Sequence, residues 1–538
     1  MPTEVLIRNR WERSLGLFVA LRPGEGLAVL YFMAYGFLVM FSYYMLKTLR
    51  EPLLLAKATA ETKSYAYAVI ALILLFVVPA YGAAYQRLPK WQLGNWLGAA
   101  LLSVQCAFLL LSLAGLKIGF AYYVWVGIFG VLITAQFWAL AADSFNVKAG
   151  KRIFPLIMVG VSLGGLVGPA IAGHLFQTLG TRGLMLIILL LIALTLPMAG
   201  IARSAVPLHS RSLLPVRGPA TPSIMGGFSQ VLHSRYLLLI AVMIVLLNWV
   251  NTTGEYLLAE LVIAHVDSLI AVDPSLDKGN LIAGFYGNFF SVVNAASLIL
   301  QLFVVSRVVQ WVGVRGAVLV LPIIALVGYG LMVFIPVFSV IRVVKMAENA
   351  TDYSLMNTAR HALFLPLSAA EKYQSKITID AFFWRFGDLI QALAVYAGLN
   401  LFGFRTPQFA MLNMVLALVW LVLAMLIGRR YVGLEKAVGS GEPPRLLQGL
   451  RPQPAPPGTP LLYQLPPNLF HCEPGDILTL SVRPVDGGPL PAWLRFEPES
   501  MVFSGVPPAD VDGNTWLTVR ASNLEGQWAE TRLGFIHS

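Results

Sequence analysis

Long apolar runs separated by short polar turns occupy most of residues 27–428. A helix needs about 20 mostly apolar residues to cross a bilayer, and about twelve stretches meet that length. They lie at roughly 27–46, 65–86, 96–116, 120–143, 154–176, 183–202, 236–260, 281–304, 315–336, 337–362, 379–404 and 407–428. Two are imperfect. The first runs directly into Lys47, Arg50 and Glu51, and the tenth carries Arg342, Lys345, Glu348 and Asp352. Beyond residue 460 the pattern changes. ILTLSV, MVFSGV, NTWLTVRAS and ETRLGFI alternate apolar and polar positions, with turn signals at Pro474-Gly475, Asp486-Gly487-Gly488 and Asp512-Gly513. Alternation bounded by such turns predicts short strands, here a small antiparallel β-sandwich.

Lys and Arg in the short loops set the orientation of a polytopic chain. Arg87, Lys90, Lys148, Lys151, Arg152, Arg203, Arg211, Arg217, Arg235, Arg307, Arg315, Lys372, Lys376, Arg429 and Arg430 fall on the side of the N-terminus; Lys57, Lys63, Lys117, Arg182, Lys278 and Arg405 fall opposite. This predicts a cytoplasmic N-terminus and, with an even number of spans, a cytoplasmic C-terminus in the inner (plasma) membrane. The longest loop between spans, 203–235, follows the sixth and contains Pro207, Pro215, Pro219 and Pro222. Six spans on either side of it is the arrangement of major facilitator transporters, whose site lies between two similar halves. A polytopic enzyme or channel with the same count is the competing reading. The expected layout is an N-terminal lead-in at 1–25, a first six-helix half at 26–203 and a central loop at 204–235. A second half at 236–430, a Pro/Gly-rich linker at 431–460 and the β-sandwich at 461–538 complete it.

Composition agrees. The chain is 57% hydrophobic and 12% charged, where soluble domains average about 25% charged. The formal net charge of +11 is explained by basic loops on one side of the membrane, so no nucleic acid polymer is expected as partner. The two cysteines, Cys106 and Cys472, lie in different segments, which excludes a disulfide framework. The N-terminal MPTEVLIRNRWERSLGLF lacks a long apolar core with a small-residue cleavage site and is expected to be a lead-in, not a cleaved signal.

Ionisable groups at membrane depth are costly and mark transport pathways. The richest stretch is 352–392, which holds Asp352, Arg360, His361, Arg385 and Asp388. Lys47 and Arg50, with Arg360, can neutralise an anion, Arg by a bidentate fork and Lys as a point charge. Each also has a local reading: Lys47 snorkels to the interface, Arg50 pairs with Glu51, and Arg360 pairs with Asp352 or Glu348. His361 is either a proton relay or a hydrogen-bonded packing residue. Asn251, Glu255 and Glu260 form a polar stripe in the seventh span, and Glu255 either meets a cation, carries a coupling proton or sits at the interface. Arg385 and Asp388, three apart, share one helix face and are either a structural ion pair or part of the site. GGLVGPAIAG, with Gly164, Gly168, Pro169 and Gly173, lets helix backbones approach closely. It resembles part of the fifth-helix motif of major facilitator antiporters, its more N-terminal glycine excepted. YGAAYQRLPK, between spans two and three, is at best a degenerate form of the gating loop of the same transporters. No nucleophile–base constellation, metal-ligand spacing or phosphate-binding glycine loop is present, so neither enzyme activity, metal nor cofactor is expected.

DYSLMNTARHALFLPLS followed by EKYQSKITIDAFFWRFGDLIQ is similar to the ATP/ADP translocase family, the nucleotide transporters of plastids and intracellular bacteria and their relatives. Matching elements are Tyr353-Ser354-Leu355, Arg360, Pro366-Leu367, Lys376, Ile379-Asp380 and Gly387. KTLREPLLLA at 47–56, QFWALAADSF at 136–145 followed by KRIFPLI, and FYGNFF at 285–290 support them. The resemblance covers roughly 25–430. It implies a major facilitator fold that moves nucleotides, with functional basic residues in the first helix and acids in the fourth and seventh. Arg50 falls on a basic position of that first-helix motif and Glu255 near the seventh-helix acid. The chain also departs from the family. YYVWVGIFG lacks the fourth-helix acid, Arg360-His361 replaces Lys-Glu, and Asp388 stands where exchangers carry lysine. An acid in place of that lysine repels a polyphosphate by several kcal/mol relative to a base about 4 Å away, which argues against ATP and ADP as the pair exchanged.

At the C-terminal end Leu490-Pro491-Ala492-Trp493-Leu494-Arg495-Phe496, Phe503-Ser504-Gly505-Val506-Pro507, Asp512-Gly513 and Val519-Arg520-Ala521-Ser522 resemble an immunoglobulin-like, cadherin/dystroglycan-type module. The resemblance implies Trp493 and Phe496 as core anchors and a module usually found outside the cytoplasm, sometimes with calcium. Asp476, Asp510 and Asp512 are either ligands of that kind or solvated turn acids.

The sequence therefore predicts an all-α polytopic membrane protein of about twelve helices in two halves with an added all-β sandwich. The expected activity is secondary transport of a small anion, a nucleotide or another phosphorylated or organic anion. Lys47, Arg50, Arg360 and Arg385 are expected to bind it, and Glu255, Asp388, Asp352 and His361 to couple or gate. The alternative is a membrane receptor or assembly platform whose 461–538 module binds a protein partner.

Overall fold

A computed structural model describes residues 24–537, apart from 88–89, 146, 208–209, 211–223, 336, 368–374, 377, 440–443, 467, 472–477, 499, 512 and 523–526. Most of the expected lead-in, much of the central loop, the Pro474-Gly475 turn, Asp476 and Asp512 lie outside the described residues. The chain forms two compact units: Met1–Leu365 with Glu371–Arg429, and Arg430–Ser538 with Pro366–Ala370.

The first unit is helical. In chain order it contains α1 (Glu25–Leu55), α2 (Ala60–Arg87), α3 (Lys90–Leu113), α4 (Gly119–Ser144) and α5 (Val147–Ser204). A short α6 (Ile224–His233) follows the central loop. Then come α7 (Arg235–Val272), α8 (Lys278–Phe303), α9 (Val305–Phe334), α10 (Phe338–Thr351), α11 (Asn357–Ala362), α12 (Trp384–Asn400) and α13 (Thr406–Gly439). Nine of the described helices are long and apolar enough to cross a membrane. The difference from twelve has a local cause. Gly180, with φ 64° and ψ −172°, breaks α5 into two limbs that correspond to the fifth and sixth spans. The tenth and eleventh spans are interrupted by π-helical turns at Asp352–Met356 and Ile379–Phe383. These widen the helix by one residue per turn, a feature often found at functional sites. The α1–α5 group and the α7–α13 group correspond to the two expected halves.

Short connections need caps. Ser234 and Asp277 each sit in extended conformation before a helix and accept from the backbone N–H three residues on, starting α7 and α8. The end of the bundle where α1 begins is called here the near end; the end where α1 stops and α2 starts is the far end. At the near end Arg152 forks onto Glu25 at 2.8 and 3.1 Å, and Ser210 donates to the same carboxylate at 2.7 Å. This bidentate pair fixes the start of α1 to the start of α5.

Glycine decides where helices meet most closely. A Cβ at Gly160, Gly164 or Gly168 would stand 2.3, 2.4 or 2.9 Å from the backbone oxygens of Met33, Phe37 and Phe41. The three glycines, four apart, form one stripe on α5 that lies against α1. One turn further on, a Cβ at Gly173 would meet the backbone oxygen of Ala283 at 3.1 Å, so the same helix face bridges to α8 in the other half.

The second unit is a β-sandwich. One sheet has the order β2 (Gln453–Pro454), β9 (Trp528–Ile536), β8 (Thr515–Ser522), β5 (Thr479–Pro484); the other has β3 (Leu461–Gln464), β7 (Val502–Gly505), β6 (Leu494–Glu497). A small third pair joins β1 (Arg445–Leu446) and β4 (Phe470–His471). Inward residues of both sheets, Leu494, Phe503, Leu517, Val519, Leu533 and Phe535, make the core, with Trp493 and Phe496 packed against it. The Pro-rich 451–460 stretch is not only a linker. Gln453–Pro454 pairs in parallel with β9, and Ala455 is buried in the core. Proline is tolerated there because β2 is an edge strand.

Candidate functional site

The charged residues of the spans fall into three groups. The first, toward the far end, is centred on Lys63 near the start of α2. Its side chain is 1% exposed and its Nζ lies 3.1 Å from Glu51 Oε2 and 3.3 Å from Glu255 Oε2. Glu51 is also held by Arg50 Nε at 3.3 Å and by the Tyr123 hydroxyl at 3.2 Å, and Arg50 stacks on the Tyr123 ring at 4.1 Å. Glu255, on α7, accepts from Asn349 Nδ2 at 3.1 Å, and Lys63 donates to the Tyr286 hydroxyl at 3.5 Å. Lys63 thus joins an acid of its own half to an acid of the other. Close by in the second half, Lys345 pairs with Glu348 at 2.9 Å, and the Tyr329 hydroxyl donates to the same carboxylate. Such pairs survive burial because every charge has an opposite partner and further hydrogen bonds.

Two more bonds cross between the halves on the same side. Gln391 donates to Ser64 at 3.1 Å, and Asn400 to Glu61 at 3.4 Å. In the sequence Lys63 reads as a loop lysine on the side opposite the N-terminus. The structure places it inside α2 and buried, so its role was missed. The signal available was Lys63 followed by Tyr67 one turn on, with helix beginning at Ala60.

The second group surrounds Lys47, two turns before the end of α1. Its ammonium lies 4.3 Å from the centroid of Phe290, 5.4 Å from Tyr44 and 5.7 Å from Tyr353, and it donates to the Tyr353 hydroxyl at 3.4 Å. Tyr44 belongs to the first half, Phe290 and Tyr353 to the second. Among the described residues Lys47 has no carboxylate within ion-pair distance. The ring faces attract a cation without neutralising it. The π-turn at Asp352–Met356 sets Tyr353 on an open face: it is 37% exposed, while Asp352 beside it is buried. Asn357 and His361, one and two turns on, are exposed on the same face.

The third group binds α12 to α7. Asp388 accepts from Asn248 Nδ2 at 2.7 Å and from Thr252 at 3.0 Å, and lies 3.5 Å from Arg385. Gly387 makes this approach possible, since a Cβ there would meet the Val245 carbonyl oxygen at 2.8 Å. Of the sequence alternatives, the geometry of Arg385 and Asp388 is that of an ion pair anchored to a neighbouring helix. Arg360 stands apart from Glu348, which Lys345 takes, and makes no ion pair with Asp352 within 4 Å. Instead its guanidinium stacks on Trp384 at 4.6 Å, donates to Asn357 at 3.2 Å, and keeps its buried Nε unpaired among the described residues. His361 is exposed and not a packing residue. The structure therefore brings Arg50 and Glu255 into one network, places Lys47 beside it, and separates Arg360, Arg385 and Asp388 from it.

Helical spans in two groups with charged residues between them form a polytopic membrane bundle. Solved structures agree on the fold. A mutant form of the nucleoside transporter NupG superposes with TM-score 0.56 at 10% identity, covering 76% of this chain and 99% of that one. A POT family transporter in complex with 5-aminolevulinic acid gives TM-score 0.56 at 14% identity, covering 75% and 96%. The membrane part has the major facilitator fold. In sequence it is ATP/ADP translocase-like. It is 24% identical over 365 residues to ADP,ATP carrier protein 1 of Chlamydia trachomatis, covering 59% of this chain and 66% of that relative. The corresponding Chlamydia muridarum protein is 24% identical over 366 residues with the same coverage, so the match spans just under two thirds of these relatives. The C-terminal unit is similar to an immunoglobulin-like domain: residues 443–534 match the family model described as "Putative Ig domain". That match begins at residue 443, inside the expected 431–460 linker, and so takes in β2.

Proposed function

We propose that the protein is a secondary active transporter of a nucleotide or another phosphorylated or organic anion, working by alternating access and exchange. The observation that carries this reading is Lys47, a cation held by aromatic rings from both halves with no carboxylate partner among the described residues. A positive charge in that position is completed by an anion that touches both halves. Tyr353 adds an exposed ring face for a flat or apolar part of the substrate. Arg360, with an unpaired Nε, is the second cation. The ADP,ATP carriers among the relatives support a nucleotide.

In this reading Arg50, saturated by Glu51 and Tyr123, positions Lys63 and does not meet substrate. Lys63 and Glu255 close the far end, and exchange requires their separation. Asp352, beside Tyr353, and His361, exposed on the same face, couple or gate, while Arg385 and Asp388 hold α12 on α7.

Proteoliposomes filled with one unlabelled anion and offered labelled ATP, ADP or other phosphorylated anions test the proposal. Uptake that depends on the internal anion is expected, and Lys47→Gln is expected to lower it at least tenfold, the loss of one charged hydrogen bond of about 1.5–3 kcal/mol. Absence of uptake for every anion, or full uptake by Lys47→Gln, sinks it.

A further inference from the structure

A cavity of about 220 Å3 lies in the first half, between α1, α3, α4 and the second limb of α5. It belongs to none of the three charged groups. Its walls come from the first residues of α3, including Gly94 and Gly98, and the last of α5, including Leu196, Gly200 and Arg203, so it lies toward the near end. Glycine shapes it. A Cβ at Gly98 would stand 2.2 Å from Leu196 Cδ2, and one at Gly94 would stand 2.6 Å from Gln136 Nε2. At Gly200, by contrast, nothing lies within 4 Å, and that residue is exposed at the rim.

The chemistry of the lining is amphiphilic. Most of it is apolar, and the volume exceeds the ~150 Å3 at which an apolar cavity stays dry and takes a hydrocarbon guest. Inside it, Gln136 accepts the Tyr81 hydroxyl at 2.8 Å through Oε1, while its Nε2 makes no hydrogen bond among the described residues. At the rim Arg203, exposed and next to last in α5, carries a cation to the level where headgroups lie. A mostly apolar recess in a membrane-spanning half, with the Gln136 amide inside, Asn95 exposed among its lining residues and one arginine at its mouth, matches one class of molecule.

We propose that this recess binds an acyl chain of an anionic phospholipid, with the Gln136 amide facing its ester region and Arg203 its phosphate. Hydrocarbon fills the recess at no polar cost, and a basic side chain near the surface favours an anionic over a zwitterionic headgroup about fivefold. The site is independent of the transported substrate.

The full-length protein, purified in mild detergent and offered equimolar phosphatidylglycerol and phosphatidylcholine with identical chains, is read by native mass spectrometry. One bound phosphatidylglycerol is expected, preferred about fivefold. Arg203→Gln, a surface change that leaves the fold intact, is expected to abolish the preference and keep the binding of either lipid. Gly200→Phe, at a position where a Cβ meets nothing within 4 Å, adds an aromatic ring to the lining and is expected to abolish retention of both. Equal retention of the two lipids by the unaltered protein overturns the proposal, as does unchanged preference in Arg203→Gln or unchanged retention in a folded Gly200→Phe.

Discussion

At the scale of single residues, Lys63 organises the site more than any residue the sequence singles out. It balances Glu51 and Glu255, and removing it leaves the buried Glu51 and the partly buried Glu255 carboxylates facing each other across the halves. Breaking a buried pair by deleting one partner costs about 3–5 kcal/mol. Lys63→Met is therefore expected to lower thermal stability in detergent by that amount, and adding Glu51→Gln is expected to recover part of the loss, because the two positions share one network. A Lys63→Met protein as stable as the original, by the same unfolding measurement, disproves the assignment. Lys47, Arg50, Glu255 and Arg360 were legible in the sequence because each interrupts an apolar run, where a charge stands out. Their partners were not. Lys63 sits three residues into α2, where a pattern of residue types cannot separate a buried helix start from a loop.

At the scale of elements, the glycine stripe of α5 makes a sharper distinction than composition can. Gly164 faces a carbonyl of α1 at 2.4 Å from where a Cβ would stand, whereas Gly82, in α2, faces nothing within 4 Å. Gly164→Ala is expected to lower the melting temperature, since the blocking atom is backbone and cannot move aside. Gly82→Ala is expected to leave it unchanged or raise it, by up to about 1 kcal/mol of helix propensity. Circular dichroism on heating compares the two, and the reverse order disproves the packing. The spans themselves were readable because twenty apolar residues have few alternatives in a membrane. The π-turns were not, since one extra residue in a turn leaves no mark on the apolar pattern of a span.

At the scale of the whole molecule, an even number of spans is expected to place the immunoglobulin-like module on the side of the N-terminus. Cys472 lies in that module's sequence, and Cys106 is the chain's other thiol. In a Cys106→Ser background a membrane-impermeant maleimide is expected to label Cys472 in inside-out vesicles and not in right-side-out ones; the opposite result removes one span from the count. The sequence by itself determined the twelve apolar spans, the change to strands after residue 460, the family resemblance, and the charged stretch at 352–392 as the expensive part of the membrane domain. These are properties of period and residue type, and they persist whatever the chain packs against. Only the tertiary structure decided which charges neutralise one another. It gave Glu51 and Glu255 to Lys63, Glu348 to Lys345 and Asp388 to Arg385 with Asn248. It left Lys47 to aromatic rings from both halves and Arg360 to Trp384. Ion pairing acts over a few ångströms between residues as many as 192 positions apart. Hydrophobic period carries no record of such distances, so the charges of 352–392 could be read as costly from sequence while their division into anchors and open cations could not.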